Sequence, residues 1–119
     1  MQRMLIVDDE PDICDCLGQF FSTKGFAVSC AFSGEEAIER IAEEPVDVVL
    51  LDIVLPGIHG IEVLRRVKDL CPAVKVVMVS GLTQDERRVE AQRYGAAGYV
   101  PKPFDFSEVT WAPVLAACQ

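Results

Sequence analysis

Short aliphatic runs alternate along this chain with longer segments whose apolar residues recur every three or four positions. The runs are Met4-Leu5-Ile6-Val7, residues 46–51 (Val-Asp-Val-Val-Leu-Leu), residues 74–79 (Val-Lys-Val-Val-Met-Val) and the brief Gly98-Tyr99-Val100. A weaker run spans residues 26–31. Near-continuous Val, Leu and Ile content marks strands covered on both faces, as in parallel sheets. The segments between them read as helices. Pro11 suits a first helical position, and Ile13, Leu17, Phe20 and Phe21 form a stripe that ends before Gly25. Ser33-Gly34-Glu35-Glu36 has the form of a capping box, followed by Ala37, Ile38, Ile41 and Ala42. Ile61, Leu64 and Val67 give a third stripe after the loop Pro56-Gly57-Ile58-His59-Gly60. Thr83-Gln84-Asp85-Glu86 is a second capping box, closed by Gly95, and Asp105 or Ser107 offers a cap for a fifth helix. Pro113 falls where that helix should be in mid-course, so a kink is expected, or a short turn and a new helix starting near Pro113. Strand and helix alternating five times predict an α/β fold, an open doubly wound parallel sheet with helices on both faces.

At 119 residues the chain has the length of one domain. With 19 acidic against 11 basic side chains it carries a formal charge of −8, which opposes binding to nucleic acid or an anionic membrane and favours a cation or a basic partner surface. No apolar run approaches the roughly 20 residues that span a bilayer, and the start lacks a signal-peptide pattern. A cytoplasmic location is therefore expected. Five cysteines (Cys14, Cys16, Cys30, Cys71, Cys118) form no even framework. With one histidine, His59, they also offer no zinc spacing, so they read as ordinary thiols.

In a parallel sheet all carboxyl ends of the strands lie along one edge, where ligands bind. The first strand is followed by Asp8, Asp9 and Glu10, the third by Asp52, the fourth by Ser80 and the fifth by Lys102. Each has an ordinary reading on its own. Asp8 and Asp9 suit a helix start, Asp52 a loop cap, Ser80 a turn, Lys102 a solvated surface and Tyr99 core packing. Arg65-Arg66 and Arg87-Arg88 read as solvated helix faces, and Trp111, Val114 and Leu115 as packing. Together on one edge, the acids demand another account. Carboxylates about 4 Å apart repel by roughly 4 kcal/mol at an effective dielectric near 20. Protonation or a bound cation relieves this, and oxygen ligands without thiolate or imidazole favour Mg²⁺ or Mn²⁺. A metal, an ammonium and a hydroxyl are what a phosphoryl group requires, and a partly free carboxylate is a nucleophile able to form an acyl phosphate.

These residues resemble a known family. Asp8-Asp9, Leu51-Asp52, Leu55-Pro56-Gly57 with Gly60, Val79-Ser80-Gly81, Gly95-Ala96 with Gly98-Tyr99, and Lys102-Pro103-Phe104 match, in order and spacing, the response-regulator receiver domain of two-component signalling. The likeness is strongest over residues 4–106 and is taken to cover residues 1–119 as one receiver domain, with an atypical C-terminal helix. It implies a flavodoxin-like five-stranded sheet of order 2-1-3-4-5. It implies that Asp52 accepts a phosphoryl group from the phosphohistidine of a sensor histidine kinase or a histidine phosphotransfer protein. Asp9, Asp52 and the Val54 backbone carbonyl would hold Mg²⁺ (or Mn²⁺), with Asp8 their partner acid. Ser80 would be the switch hydroxyl, Lys102 the phosphoryl-pairing lysine and Tyr99 the switching aromatic. The bond before Pro103 would be cis. Such a domain modifies only itself, is not a turnover enzyme, and controls a downstream effector domain or protein, with a homodimer also open. Four places depart from the family pattern: His59 for a frequent aspartate, apolar Val54 and Leu82 where polar side chains often help water reach the acyl phosphate, and Pro113 with Trp111. Slow self-dephosphorylation follows from the apolar pair.

Three rivals stand beside this reading. A phosphatase with an aspartate nucleophile wants an acid two residues after it, where this chain has Val54. A receiver-like interaction module without phosphorylation usually loses an acid or the lysine. A flavodoxin-like cofactor binder needs a glycine-rich phosphate loop after the first strand, which is absent.

Overall fold

The computed structural model describes residues 2–81 and 85–117. Ten elements alternate: β1 (Arg3–Val7), α1 (Pro11–Thr23), β2 (Ala27–Ala31), α2 (Gly34–Glu43), β3 (Val48–Leu51), α3 (Gly60–Leu70), β4 (Lys75–Ser80), α4 (Asp85–Arg93), β5 (Gly98–Pro101) and α5 (Ala112–Ala117). The strands form one parallel sheet of order β2-β1-β3-β4-β5. Val7 pairs with both Ala31 and Leu51, so β1, β2 and β3 end at a common level.

Alternation of side chains splits the core in two. Leu5, Val7, Val49, Leu51, Val76 and Met78 face α2, α3 and α4. Met4, Ile6, Val48, Leu50, Val77, Val79 and Val100 face α1 and the C-terminal segment. Both layers exclude water, which is why β1, β3 and β4 read as unbroken aliphatic runs. Edge strand β2 is only half-buried, matching its weaker run.

The helix ends follow their sequence signals, with two differences. Pro11 is the first residue of α1, preceded by Glu10, whose side chain makes no capping bond. Ser33 caps α2 by accepting from the Glu36 N–H at 3.2 Å. The Glu36 carboxylate reaches one residue further back than a capping box requires, accepting from Phe32 N at 2.9 Å. Thr83 and Gln84 of the second box, like Leu82 and Cys118, lie outside the described residues.

The tail takes the second of its expected forms, a turn and then a new helix in which Pro113 is the second residue. There its missing N–H costs no helical hydrogen bond. Asp105 and Ser107 cap the preceding turn and not α5 itself. Asp105 Oδ1 accepts from Ser107 N at 3.0 Å and Thr110 Oγ1 at 2.6 Å, and Ser107 Oγ accepts from Thr110 N at 3.2 Å. These bonds hold the exposed Asp105 carboxyl down at about 2. The turn drives Trp111 into full burial, where its Nε1–H donates to the Asp105 carbonyl at 2.7 Å. Phe21 and Phe104 lie edge-on to it, with ring centroids at 5.3 and 5.1 Å.

Candidate functional site

Four strands deliver polar groups to one edge of the sheet, and the backbone fixes each of them there. Asp8 follows β1 and donates its N–H to Ala31 O at 3.1 Å; Asp52 follows β3 and donates to Val7 O at 3.0 Å. Lys102 follows β5, and its N–H donates at 2.9 Å to the carbonyl of Ser80, the last residue of β4. The neighbouring strand thus sets the position of each group before its side chain plays any part.

The side chains then converge. Lys102 Nζ donates to Asp8 Oδ2 at 2.7 Å and to Asp52 Oδ2 at 2.9 Å. Both acids are nearly closed to solvent, Asp8 at 2 % and Asp52 at 6 % exposure. Their remaining oxygens are also engaged. Asp8 Oδ1 accepts from Glu10 N at 2.9 Å, and Asp52 Oδ1 from Val54 N at 3.1 Å. Burial works to lower the Lys102 ammonium, but the hydrogen bonds and charges of Asp8 and Asp52 outweigh it, and the net direction is up. The lysine therefore stays charged beside the acids. The Lys102–Pro103 peptide bond is cis.

Asp9 is exposed and belongs to a second, overlapping group. One ligand oxygen each from Asp8, Asp9 and Glu10 lies within 4.8 Å of the others. Glu10 Oε1 also stands 3.9 Å from Lys102 Nζ. Reasoning on strand ends placed Glu10 beside the site without giving it a part. The donors are all carboxylate oxygens, a hard set suited to Mg²⁺ or Mn²⁺. His59 is engaged elsewhere, its Nδ1 accepting from Ile61 N at 3.2 Å to cap α3.

Ser80 is fully buried, and Tyr99 is half-buried beside it on β5. Burial pushes the Tyr99 phenol up, while a hydrogen bond with Ser80 and the charge of Arg88 pull the other way. The Arg88 guanidinium stands 5.1 Å from the Tyr99 ring, and Arg65 stands 5.1 Å from the Tyr94 ring. These two arginines are therefore more than solvated helix faces; Arg66 and Arg87 pair with Glu62 and Glu90. Their aromatic partners are distant in sequence, so no local pattern marked them.

The loop between β3 and α3 is drawn tight beneath Asp52. Gly60 N donates to Ile53 O at 2.8 Å, and a Cβ on Gly60 would collide with the Asp52 carbonyl and the Ile53 backbone. Gly57 has φ +76°, a conformation open to glycine. Glu35 of α2 accepts from Ile58 N at 3.1 Å and holds the loop from outside. This long-range contact also had no sequence signal. The Val54 side chain points outward, 57 % exposed.

Comparison with known proteins follows the same lines. The profile described as "Response regulator receiver domain" matches residues 4–112. Regulatory protein AtoC of Escherichia coli (strain K12) is 38 % identical over 109 residues, covering 92 % of this chain and 24 % of that protein. The chain spans between about a quarter and a half of the curated relatives it matches. A CheY-like response regulator receiver domain protein from Methanospirillum hungatei JF-1 superimposes with a TM-score of 0.92 at 30 % identity, over 99 % of this chain and 94 % of that one. A CheX-CheY-BeF3-Mg+2 complex from Borrelia burgdorferi gives a TM-score of 0.92 at 29 % identity, over 99 % and 90 %. Among the described residues no helix is long and apolar enough to cross a membrane.

Proposed function

Because the chain belongs to the response regulator receiver domain family, we propose that it is a phosphoacceptor switch in which Asp52 takes a phosphoryl group from a phosphohistidine. Receiver domains of this family are signalling switches and not turnover enzymes. The observation that carries the reading is Lys102 Nζ bridging Asp8 Oδ2 and Asp52 Oδ2, two buried acids from different strands.

The contacts support the following mechanism. Val54 N–H and Lys102 hold the two Asp52 oxygens, so the carboxylate meets an incoming phosphorus in a fixed direction. Its oxygen forms the new O–P bond as the donor's P–N bond breaks and the histidine leaves. Lys102, already beside Asp52, pairs with a phosphoryl oxygen, and the Ser80 hydroxyl at the end of β4 supplies a donor. Asp8, Asp9, Asp52 and the Val54 backbone carbonyl are the groups that would hold Mg²⁺ or Mn²⁺. The bound ion supplies the positive charge that offsets the acids and the transferring phosphoryl oxygens. As Ser80 turns to the phosphoryl group its bond to Tyr99 is released, and Tyr99 shifts against Arg88 on α4. Phosphorylation thereby biases an equilibrium between two conformations. The donor is a sensor histidine kinase or histidine phosphotransfer protein, and the output passes to an effector domain, a partner protein or a second copy of the chain. The work is assigned to the cytoplasm, with no direct nucleic-acid or membrane contact by this domain.

The test is intact mass after incubation with acetyl phosphate and Mg²⁺. One added phosphoryl group is expected, and none in Asp52→Asn. An unmodified wild-type chain, under conditions that modify a control receiver, would overturn the reading in favour of an interaction module.

A further inference from the structure

We infer that Glu35, an exposed residue in the first turn of α2, is a positioning residue for the Asp52 carboxylate and acts through the loop between β3 and α3. The inference rests on the phosphoacceptor reading of Asp52. Glu35 Oε1 accepts from Ile58 N at 3.1 Å, from 23 positions away in the chain. The same carboxylate fills the space that a side chain on Gly57 would need. With φ +76° at Gly57, the loop turns there and leaves its backbone open to Glu35. A backbone N–H bond to an ionised carboxylate is roughly twice as strong as one to a neutral acceptor.

The clamp has a firm base. Ser33 caps α2, and Glu36 reaches back to Phe32 N at 2.9 Å, so the first turn of the helix is fixed to the end of β2. There Ala31 O accepts from Asp8 N at 3.1 Å, which ties β2 to the acid that follows β1. A Cβ on Gly34 would meet Val63 of α3 and the Ile58 carbonyl, so this turn lies directly on α3 and the outer limb of the loop.

What the clamp holds is short. On the inner limb Asp52 Oδ1 accepts from Val54 N at 3.1 Å, and Gly60 N closes the loop on Ile53 O at 2.8 Å. Ile53 is fully buried, and Ile58 packs against the same core layer. Losing the bond to Glu35 frees the outer limb, and the motion passes to the Val54 N–H that fixes one Asp52 oxygen. Phosphoryl transfer needs that oxygen in line with the phosphorus, so a change in its direction slows the reaction without removing any group that touches the donor.

The experiment compares the full chain with its Glu35→Ala and Glu35→Gln variants. Glutamine keeps an oxygen that can accept from Ile58 N and removes only the charge. Modification of Asp52 by acetyl phosphate at saturating Mg²⁺ is timed by intact mass, and amide hydrogen exchange is read in the unmodified chain. Glu35→Ala should slow modification roughly threefold or more, and Glu35→Gln should restore the wild-type rate. In the alanine variant, exchange at Val54 and Gly60 should quicken roughly threefold, while Leu5 and Val49 in the sheet keep their rates. Equal modification rates in all three chains overturn the inference. A loss shared by alanine and glutamine assigns the effect to charge and overturns it too. Faster exchange at Leu5 and Val49 as well makes Glu35 a general brace of the fold, which also overturns it. A wild-type chain that acetyl phosphate leaves unmodified overturns the phosphoacceptor reading instead, and exchange at Val54 and Gly60 then decides the clamp by itself.

Discussion

Lys102 Nζ lies 2.9 Å from Asp52 Oδ2, although the two residues are 50 positions apart in the chain. Because the same ammonium holds Asp8 at 2.7 Å, it occupies the place where a cation would otherwise separate two acids. On the metal reading proposed above, lysine and metal would compete electrostatically for one pair of carboxylates.

Removing the lysine should thus weaken the fold and strengthen the metal site together. Lys102→Ala leaves two buried acids facing each other, at a cost of about 3 kcal/mol in metal-free buffer. Added Mg²⁺ should recover much of that loss, and its affinity should rise roughly tenfold, or about 1.4 kcal/mol. Thermal unfolding with and without Mg²⁺ measures both. An affinity that falls in the variant contradicts the competition.

Gly60 should tolerate no side chain. A methyl group there meets the Asp52 carbonyl and the Ile53 backbone, and backbone offers no rotamer escape. Gly60→Ala should cost roughly 1–3 kcal/mol in urea unfolding. It should also slow modification of Asp52 by acetyl phosphate, because the shift is transmitted directly to that residue.

Stability should decline in alkali, beginning at the buried thiols. Cys14 and Cys30 are raised from 9.0 and Tyr99 from 10.0, in each case first by burial. A raised group favours the native state fully below its unfolded value, and that contribution is lost as pH rises toward the folded value. The loss therefore begins near pH 9 and continues through the phenol range, with a slope of up to about 1.4 kcal/mol per pH unit from Cys14. Denaturant midpoints measured from pH 7 to 11 should show this decline, and Cys14→Ala should flatten its first part.

Decay of the acyl phosphate should be slow in the wild type and faster once Val54 is polar. The Val54 side chain is exposed and offers water no hydrogen bond. Val54→Asn should shorten the phosphorylated lifetime several-fold, read by intact mass after donor removal. An unchanged lifetime would locate control of hydrolysis elsewhere.

Much of the architecture was legible because burial on both faces forces unbroken aliphatic strands, as Val48 to Leu51 show. The grouping of Asp8, Asp52, Ser80 and Lys102 along one edge follows from parallel strand direction alone. What escaped notice depends on side-chain reach. Glu36 bonds Phe32 N in place of Ser33 N, because its carboxylate can span either distance. Asp105 and Ser107 spend their caps on an extra turn, since packing Trp111 inward delays α5 to Ala112. Helix α4 carries no apolar stripe, and Ala91 is its one buried apolar residue among those described. Its Arg88 meets Tyr99, and Tyr94 just beyond its end meets Arg65, through cation–π pairs that no periodicity announces.

The burial of Trp111 gives the molecule a built-in optical probe. It is the chain's single tryptophan, and it touches Phe104, two residues past Lys102. Rearrangement at that lysine is expected to reach the indole through Phe104, so its emission wavelength should report events at the acidic edge without a dye or an engineered label.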